Sequence, residues 1–382
     1  MTWDWPAFSD GGVATLSSAL AVGLAESGAD LEVWTRGGGS RGRALDATVR
    51  PFGLRALSGR SWRRRGRRHW RRGVQEAQAC FEADALIVSP WDPLPGVLDA
   101  LGAGPRPPIW VFAHGREITA SLDAARTQLR DEVLAGGHRW LCLTEWMCCQ
   151  LVARGVPRER IVRVPAAVGD GCSPEPEQGP GPSRGGSEES GGMEILTVGR
   201  LVRRKGHDVV LSALAELGDP RLRYRIVGDG PDRPRLEALS AKLGLGEVVR
   251  FEGRLEGPAF HQAWSGADLF VMPAREEAGG DTEGYGLVFL EAGAWGLPVL
   301  GSRTAGAAEA IIDGSTGLLV DEAGALEAVV EALSRFRDNP GLRRRMGLAG
   351  RRRYEEQGRP QHMGAAVLAA LRDPGDSMES QL

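Results

Sequence analysis

The chain has 382 residues with a net charge of −3, 42% apolar and 25% charged, the make-up of a soluble globular protein long enough for two domains with separate cores. No apolar run reaches the roughly 18–20 residues of a membrane helix, and near-neutral charge excludes whole-protein attraction to nucleic acid. The five cysteines show no CxxC pair or Cys/His cluster with metal spacing, so they read as ordinary thiols in a reducing compartment.

Met1 to Asp10 carry no basic segment followed by an apolar one, so a cytoplasmic location is expected. Val13 to Ser27 has helical spacing, entered by the turn Gly11-Gly12, but TWDWP before it makes a poor central strand. LEVWTR, ALIVSP, PIWVFAH, RWLCLTE and IVRVP then read as short apolar strands, with a helix over Ala124 to Leu134. Arg60 to Arg72 holds eight arginines with Trp62 and Trp70. Arg63, Arg64, Arg65, Arg67, Arg68, Arg71 and Arg72 form a patch that suits an anionic membrane surface, an acidic acceptor or plain solvation in an arginine-rich chain.

Gly169 to Gly192 is a run of Gly, Pro, Ser and Glu without apolar period, a linker between an N-terminal domain (1–168) and a C-terminal one (193–354). Beyond it EILTVG, RYRIVG, VVRFEG, DLFVMP, PVLG and GLLV again alternate with helical segments. Strand–helix alternation with near-continuous apolar strands predicts an α/β protein of two Rossmann-like domains facing across a cleft, ligands lying at the carboxyl ends of the strands.

Three stretches carry candidate chemistry. Val198 to Gly206 reads VGRLVRRKG, a strand end, a basic loop and a helix start. Cations there suit a diphosphate. Lys205 stands out because 45 of the 47 basic residues are arginine, and a lysine supplies a compact point charge. Gly228 opens the turn Gly-Asp-Gly-Pro after RYRIV. Glu283 to Glu291 reads EGYGLVFLE, two carboxylates eight residues apart; on a helix that is roughly 12 Å, a spacing suited to the two ends of one extended ligand. His114 closes PIWVFAH and is the N-terminal candidate for touching a ligand.

In this order and spacing, VGRLVRRKGHDVVLSAL, YRIVGDGP, the segment ending in EGYGLVFLEAGAWGLPVLGS, and IIDGSTGLLV resemble the retaining glycosyltransferases of family 4, which have the GT-B fold. The resemblance implies that Arg200 and Lys205 hold the donor diphosphate, with no metal and no other cofactor than the nucleotide sugar itself. It implies Glu291 on the ribose, Glu283 with Gly284, Tyr285, Gly286 and Leu287 on the donor sugar, His114 approaching that sugar, and Gly11 and Gly12 closing on donor and acceptor. Attack from the front face would retain configuration, the leaving phosphate taking the acceptor's proton. The residues after the C-terminal domain (355–382) resemble the family's terminal helix, which returns to the N-terminal domain. Relatives usually read Pro-Asn-Gly-Val-Asp where this chain has Pro165 to Gly169, and Gly-Gly-x-Pro-Glu where it has Ala305 to Glu309. The loop Glu276 to Asp281 is similar to those of mannosyl- and glucosyltransferases, so GDP-mannose or a UDP-hexose is the expected donor. The acceptor would be lipid-linked, a polysaccharide or a small molecule, and no nucleic acid is expected. The alternative is a non-catalytic or regulatory relative that binds a sugar nucleotide.

Overall fold

A computed structural model describes residues 12–37, 53–58, 83–169, 192–322 and 325–372. The expectations for Gly11, for the strand before it, for the Arg60–Arg72 stretch and for most of the linker fall outside these residues. The chain divides into two compact units, residues 1–169 with 359–382 and residues 170–358. Among the described residues no helix is long and apolar enough to cross a membrane.

In the first unit, helix α1 (Gly12–Glu26) precedes a parallel pair, β1 (Glu32–Gly37) and β2 (Gly53–Ser58). The sequence reading missed β2, whose GLRALS has neither a strong apolar run nor clean alternation. A separate parallel sheet runs in chain order through β3 (Leu86–Val88), β4 (Ile109–Ala113), β5 (Arg139–Cys142) and β6 (Ile161–Arg163). Between these strands lie α2 (Leu94–Leu101), the short α3 (Arg116–Thr119), α4 (Ala124–Ala135) and α5 (Glu145–Val152). Asp123 and Thr144 cap the last two, each side chain accepting a first-turn N–H, at 2.9 and 3.1 Å, which satisfies donors the helix itself leaves unpaired. Leu86, Val88, Ile109, Val111, Trp140 and Cys142 alternate onto one buried face against Leu94, Val97, Met147 and Leu151, as the period of two requires.

The second unit carries a six-stranded parallel sheet built from β7 (Met193–Val198), β8 (Leu222–Val227), β9 (Val249–Gly253), β10 (Leu269–Met272), β11 (Val299–Ser302) and β12 (Gly317–Val320). Its spatial order is β12-β11-β10-β7-β8-β9, so the winding reverses between β7 and β10 and opens a crevice outside their carboxyl ends. The connecting helices are α6 (His207–Leu217), α7 (Arg233–Lys242), α8 (Gly257–Ser265), α9 (Leu287–Ala294), the short α10 (Ala307–Ala310), α11 (Ala325–Asp338) and α12 (Pro340–Arg353). Met193, Ile195, Tyr224 and Ile226 face a core shared with Val210, Leu214, Leu333 and Phe336. Leu196, Val227, Phe270 and Met272 face the opposite one, with Trp264, Phe289 and Trp295. Burial on both faces explains why these strands read as apolar runs.

A π-turn, Tyr354–Gly358, ends the second unit, and α13 (Pro360–Arg372) belongs to the first. There it crosses α1 with backbone nearly touching backbone. A Cβ on Gly23 would stand 1.9 Å from the Pro360 carbonyl oxygen, and one on Gly364 2.0 Å from the Gly23 carbonyl, so both positions require glycine.

Candidate functional site

The loop after β7 is shaped by its glycines. Gly199 has φ +153° and Gly228, at the end of β8, φ +131°; a Cβ on Gly228 would lie 2.0 Å from the Gly199 carbonyl oxygen. The two loops are therefore in backbone contact, further joined by Leu201 N–H donating to Asp229 O at 3.0 Å. A 3-10 turn, Arg203–Lys205, follows and ends in left-handed Gly206, the residue before α6.

That turn aims Lys205 inward. Its side chain is 10% exposed and its Nζ donates to Glu283 Oε2 at 2.5 Å. Arg204 bonds the same oxygen through Nη1 and lies 3.4 Å from Asp281 through Nε. Glu283 comes from the loop after β10, so the loops flanking the reversal point meet here. Burial by itself would raise the Glu283 pKa; the charges of Lys205 and Arg204 outweigh it and hold the carboxyl at about 2. Burial lowers the Lys205 pKa, with Glu283 and Glu291 opposing and Arg204 assisting. His207, buried at the start of α6, is held neutral by burial and by Lys205, its pKa lowered to about 4.

Arg200 is exposed, and the guanidinium brought onto Glu283 is that of Arg204, which sequence reasoning did not single out. Its signal was the run Arg203-Arg204-Lys205, but the turn decides which of the three reaches inward. The expected helical spacing of Glu283 and Glu291 also differs. Only Glu291 lies on α9, half-buried, while Glu283 precedes left-handed Gly286 (φ +80°), so a rise of 1.5 Å per residue does not connect them. Gly284 and Tyr285 complete the loop and Leu287 opens the helix. Chemically, the cluster is a fixed cation pair in a crevice, positioned without reorganisation, which is the arrangement that stabilises developing negative charge.

Ala305 is the non-glycine described residue with left-handed backbone, φ +46°, at a place where the family pattern has glycine. Relief of about 1–2 kcal/mol of strain should exceed a backbone-entropy cost of about 0.5–1 kcal/mol. Ala305→Gly is accordingly expected to raise stability slightly, read by chemical denaturation.

In the first unit, His114 ends β4 half-buried, its ring stacked on Phe112 at 5.1 Å. Nε2 lies 2.7 Å from the Ser89 hydroxyl. The Glu117 carboxylate accepts the N–H groups of His114 (2.5 Å) and Gly115 (3.3 Å). Burial lowers the His114 pKa to about 3, so the ring is neutral. Burial raises Glu117 to about 7, against the lowering effect of those N–H groups. Gly12 is the exposed first residue of α1. Ser89 and Glu117 also escaped sequence reasoning; Glu117 lies three residues past the quoted PIWVFAH, but nothing local marks a serine as a partner of a histidine 25 residues away.

A carboxyl whose pKa is raised on folding contributes stability that is full below its unfolded value of 4.5 and is lost as pH climbs through about 7. Glu117→Gln keeps an oxygen for the two N–H groups and removes the titration. The variant should melt higher than wild type at pH 8 and match it near pH 4.5, measured as Tm against pH.

Two family models match the chain and together span most of it: "Glycosyltransferase Family 4" over residues 10–169 and "Glycosyl transferases group 1" over residues 185–353. A Mycolicibacterium smegmatis protein described as a GDP-mannose-dependent alpha-(1-6)-phosphatidylinositol monomannoside mannosyltransferase is 39% identical over 163 residues, 41% of this chain and 42% of that one. A Streptomyces griseus D-inositol 3-phosphate glycosyltransferase is 38% identical over 165 residues, 40% and 34% of the two chains. The matches thus span less than half the length of these relatives. Among solved structures, Anabaena HepE, crystallised with UDP and glucose, superposes with a TM-score of 0.77 at 15% identity, covering 97% of this chain and 98% of that one. The glycosyltransferase WaaG gives 0.67 at 21% identity, covering 96% and 99%. With matching models in both halves and this shared architecture, the chain belongs to the glycosyltransferases of group 1 and family 4, on the GT-B fold.

Proposed function

We propose that the chain transfers a hexose from a nucleotide sugar, GDP-mannose before UDP-hexoses, to a hydroxyl of a lipid-linked or small polyol acceptor, retaining the anomeric configuration. The observation that carries this reading is the Lys205–Glu283–Arg204 cluster at the reversal point of the second unit's sheet. Lys205, Arg204 and the exposed Arg200 neutralise the donor diphosphate as charge develops on it, a task that needs no metal when cations are already in place. Glu283 holds those cations and accepts from a sugar hydroxyl, and Glu291 takes the ribose. The preference for GDP-mannose and for an inositol- or lipid-containing acceptor is supported by the names of the relatives. In the same reading the Arg60–Arg72 stretch docks on anionic lipid, which co-sedimentation with vesicles containing and lacking phosphatidylglycerol tests.

The deciding experiment is thermal stabilisation by a panel of GDP- and UDP-sugars in chelator. One nucleotide should stabilise by about 2–3 kcal/mol at 100 times its Kd. No stabilisation by any member would overturn the donor assignment.

A further inference from the structure

Ser89 directly follows β3, is 5% exposed, and has its hydroxyl 2.7 Å from Nε2 of His114. A serine hydroxyl carries one hydrogen, and buried donors require an acceptor. Among the described residues, the His114 ring nitrogen is the hydrogen-bond partner of that hydroxyl. Were Nε2 protonated, it would donate to Oγ and leave the serine hydrogen buried without a partner. With Nε2 bare, the hydroxyl donates to it and both groups are satisfied.

The ring is stacked on one face and its backbone is anchored. Phe112 stacks on it with the planes 23° apart. Glu117 fixes the backbone N–H of His114, and the Glu117 carbonyl is in turn tied down by Trp91 Nε1 at 2.9 Å. Turning the ring over would put a carbon in place of Nε2 against the hydroxyl and forfeit the bond.

We infer that Ser89 is a positioning residue that donates to Nε2 and holds His114 as its Nδ1–H tautomer, so that the ring offers a ligand a hydrogen-bond donor and not a base. Burial keeps the imidazole neutral, so it carries a single ring proton, and this bond decides which nitrogen bears it. No hydrogen bond from a described residue reaches Nδ1. Its N–H is matched to an oxygen acceptor, such as the lone pair of a sugar hydroxyl. That ligand assignment rests on the transferase reading, whereas the tautomer does not.

The test uses full-length protein labelled with 15N in histidine. Six histidines keep a two-bond 1H–15N spectrum simple, and His114→Gln identifies the His114 signals. At pH 7.5 the wild type should show Nδ1 protonated and Nε2 bare. Ser89→Thr, which keeps the hydroxyl, should preserve this pattern, and Ser89→Ala should move the proton at least partly to Nε2. A wild-type ring protonated on Nε2, or one unchanged in Ser89→Ala, would overturn the inference.

Affinity supplies the second readout. Ser89→Ala should bind GDP-mannose about fivefold more weakly, the worth of one hydrogen bond, with GDP unchanged; equal losses for both would remove the sugar as partner of Nδ1–H. If no GDP- or UDP-sugar binds the wild type, the donor reading falls, while the spectrum still decides the tautomer.

Discussion

In the proposed transfer reaction, Lys205→Ala is expected to lower the rate by about 100- to 1,000-fold, the usual cost of removing one prepositioned group that faces developing charge. The substitution also touches stability, because Glu283 is left in the crevice with Arg204 as the cation still bonded to it. Breaking a buried pair costs on the order of 3 kcal/mol, so a loss of activity alone would not separate chemistry from folding. Lys205→Ala combined with Glu283→Gln removes the carboxylate that has lost one of its two cations and should recover part of that stability without recovering transfer. Lys205→Arg should also fail to restore activity, since a planar fork does not replace a point charge in a nearly closed site. The measurements are initial rates at saturating donor beside urea midpoints for all four proteins. Transfer by Lys205→Ala at the wild-type rate would remove Lys205 from the mechanism.

The largest expected loss of stability follows Gly206→Ala. Gly206 has φ +71°, and an added Cβ would lie 2.0 Å from the Pro273 carbonyl oxygen. Left-handed backbone costs an alanine about 1–2 kcal/mol, and forcing a methyl into a filled space about 1–3 kcal/mol, for a total of about 2–5 kcal/mol. Gly244 supplies the control: it has the same φ of +71° with nothing within 4 Å of the added carbon. Gly244→Ala should therefore cost only the backbone term, about 1–2 kcal/mol. The difference between the two isolates the close approach of the 3-10 turn to the loop after β10. That approach also places Lys205 and Arg204, so Gly206→Ala should weaken nucleotide-sugar binding, and Gly244→Ala should leave it unchanged. Equal stability losses in the two variants would contradict the packing account.

What the sequence determined by itself was local. The apolar runs from EILTVG to GLLV reported strands buried on both faces, because burial on both faces suppresses alternation. The helices α1 and α4 were legible from their spacing to within a residue or two, and so was the start of α6. The candidate segments stood out because glycines, a rare lysine and two carboxylates in a fixed order mark local backbone and charge requirements. β2 escaped, since its six residues become a strand through pairing with β1.

The tertiary structure decided which side chains meet. Lys205 and Glu283 are 78 residues apart, and their contact depends on the winding order that sets β7 beside β10. Choosing Arg204 over Arg200 for Glu283 depends on a 3-10 turn closed by left-handed Gly206. Likewise, Gly23 and Gly364 look like ordinary weak points of two helices until α1 and α13 cross there. A side chain's direction follows from the fold of loops whose conformation is set by the elements they pack against, and local periodicity carries no record of that packing.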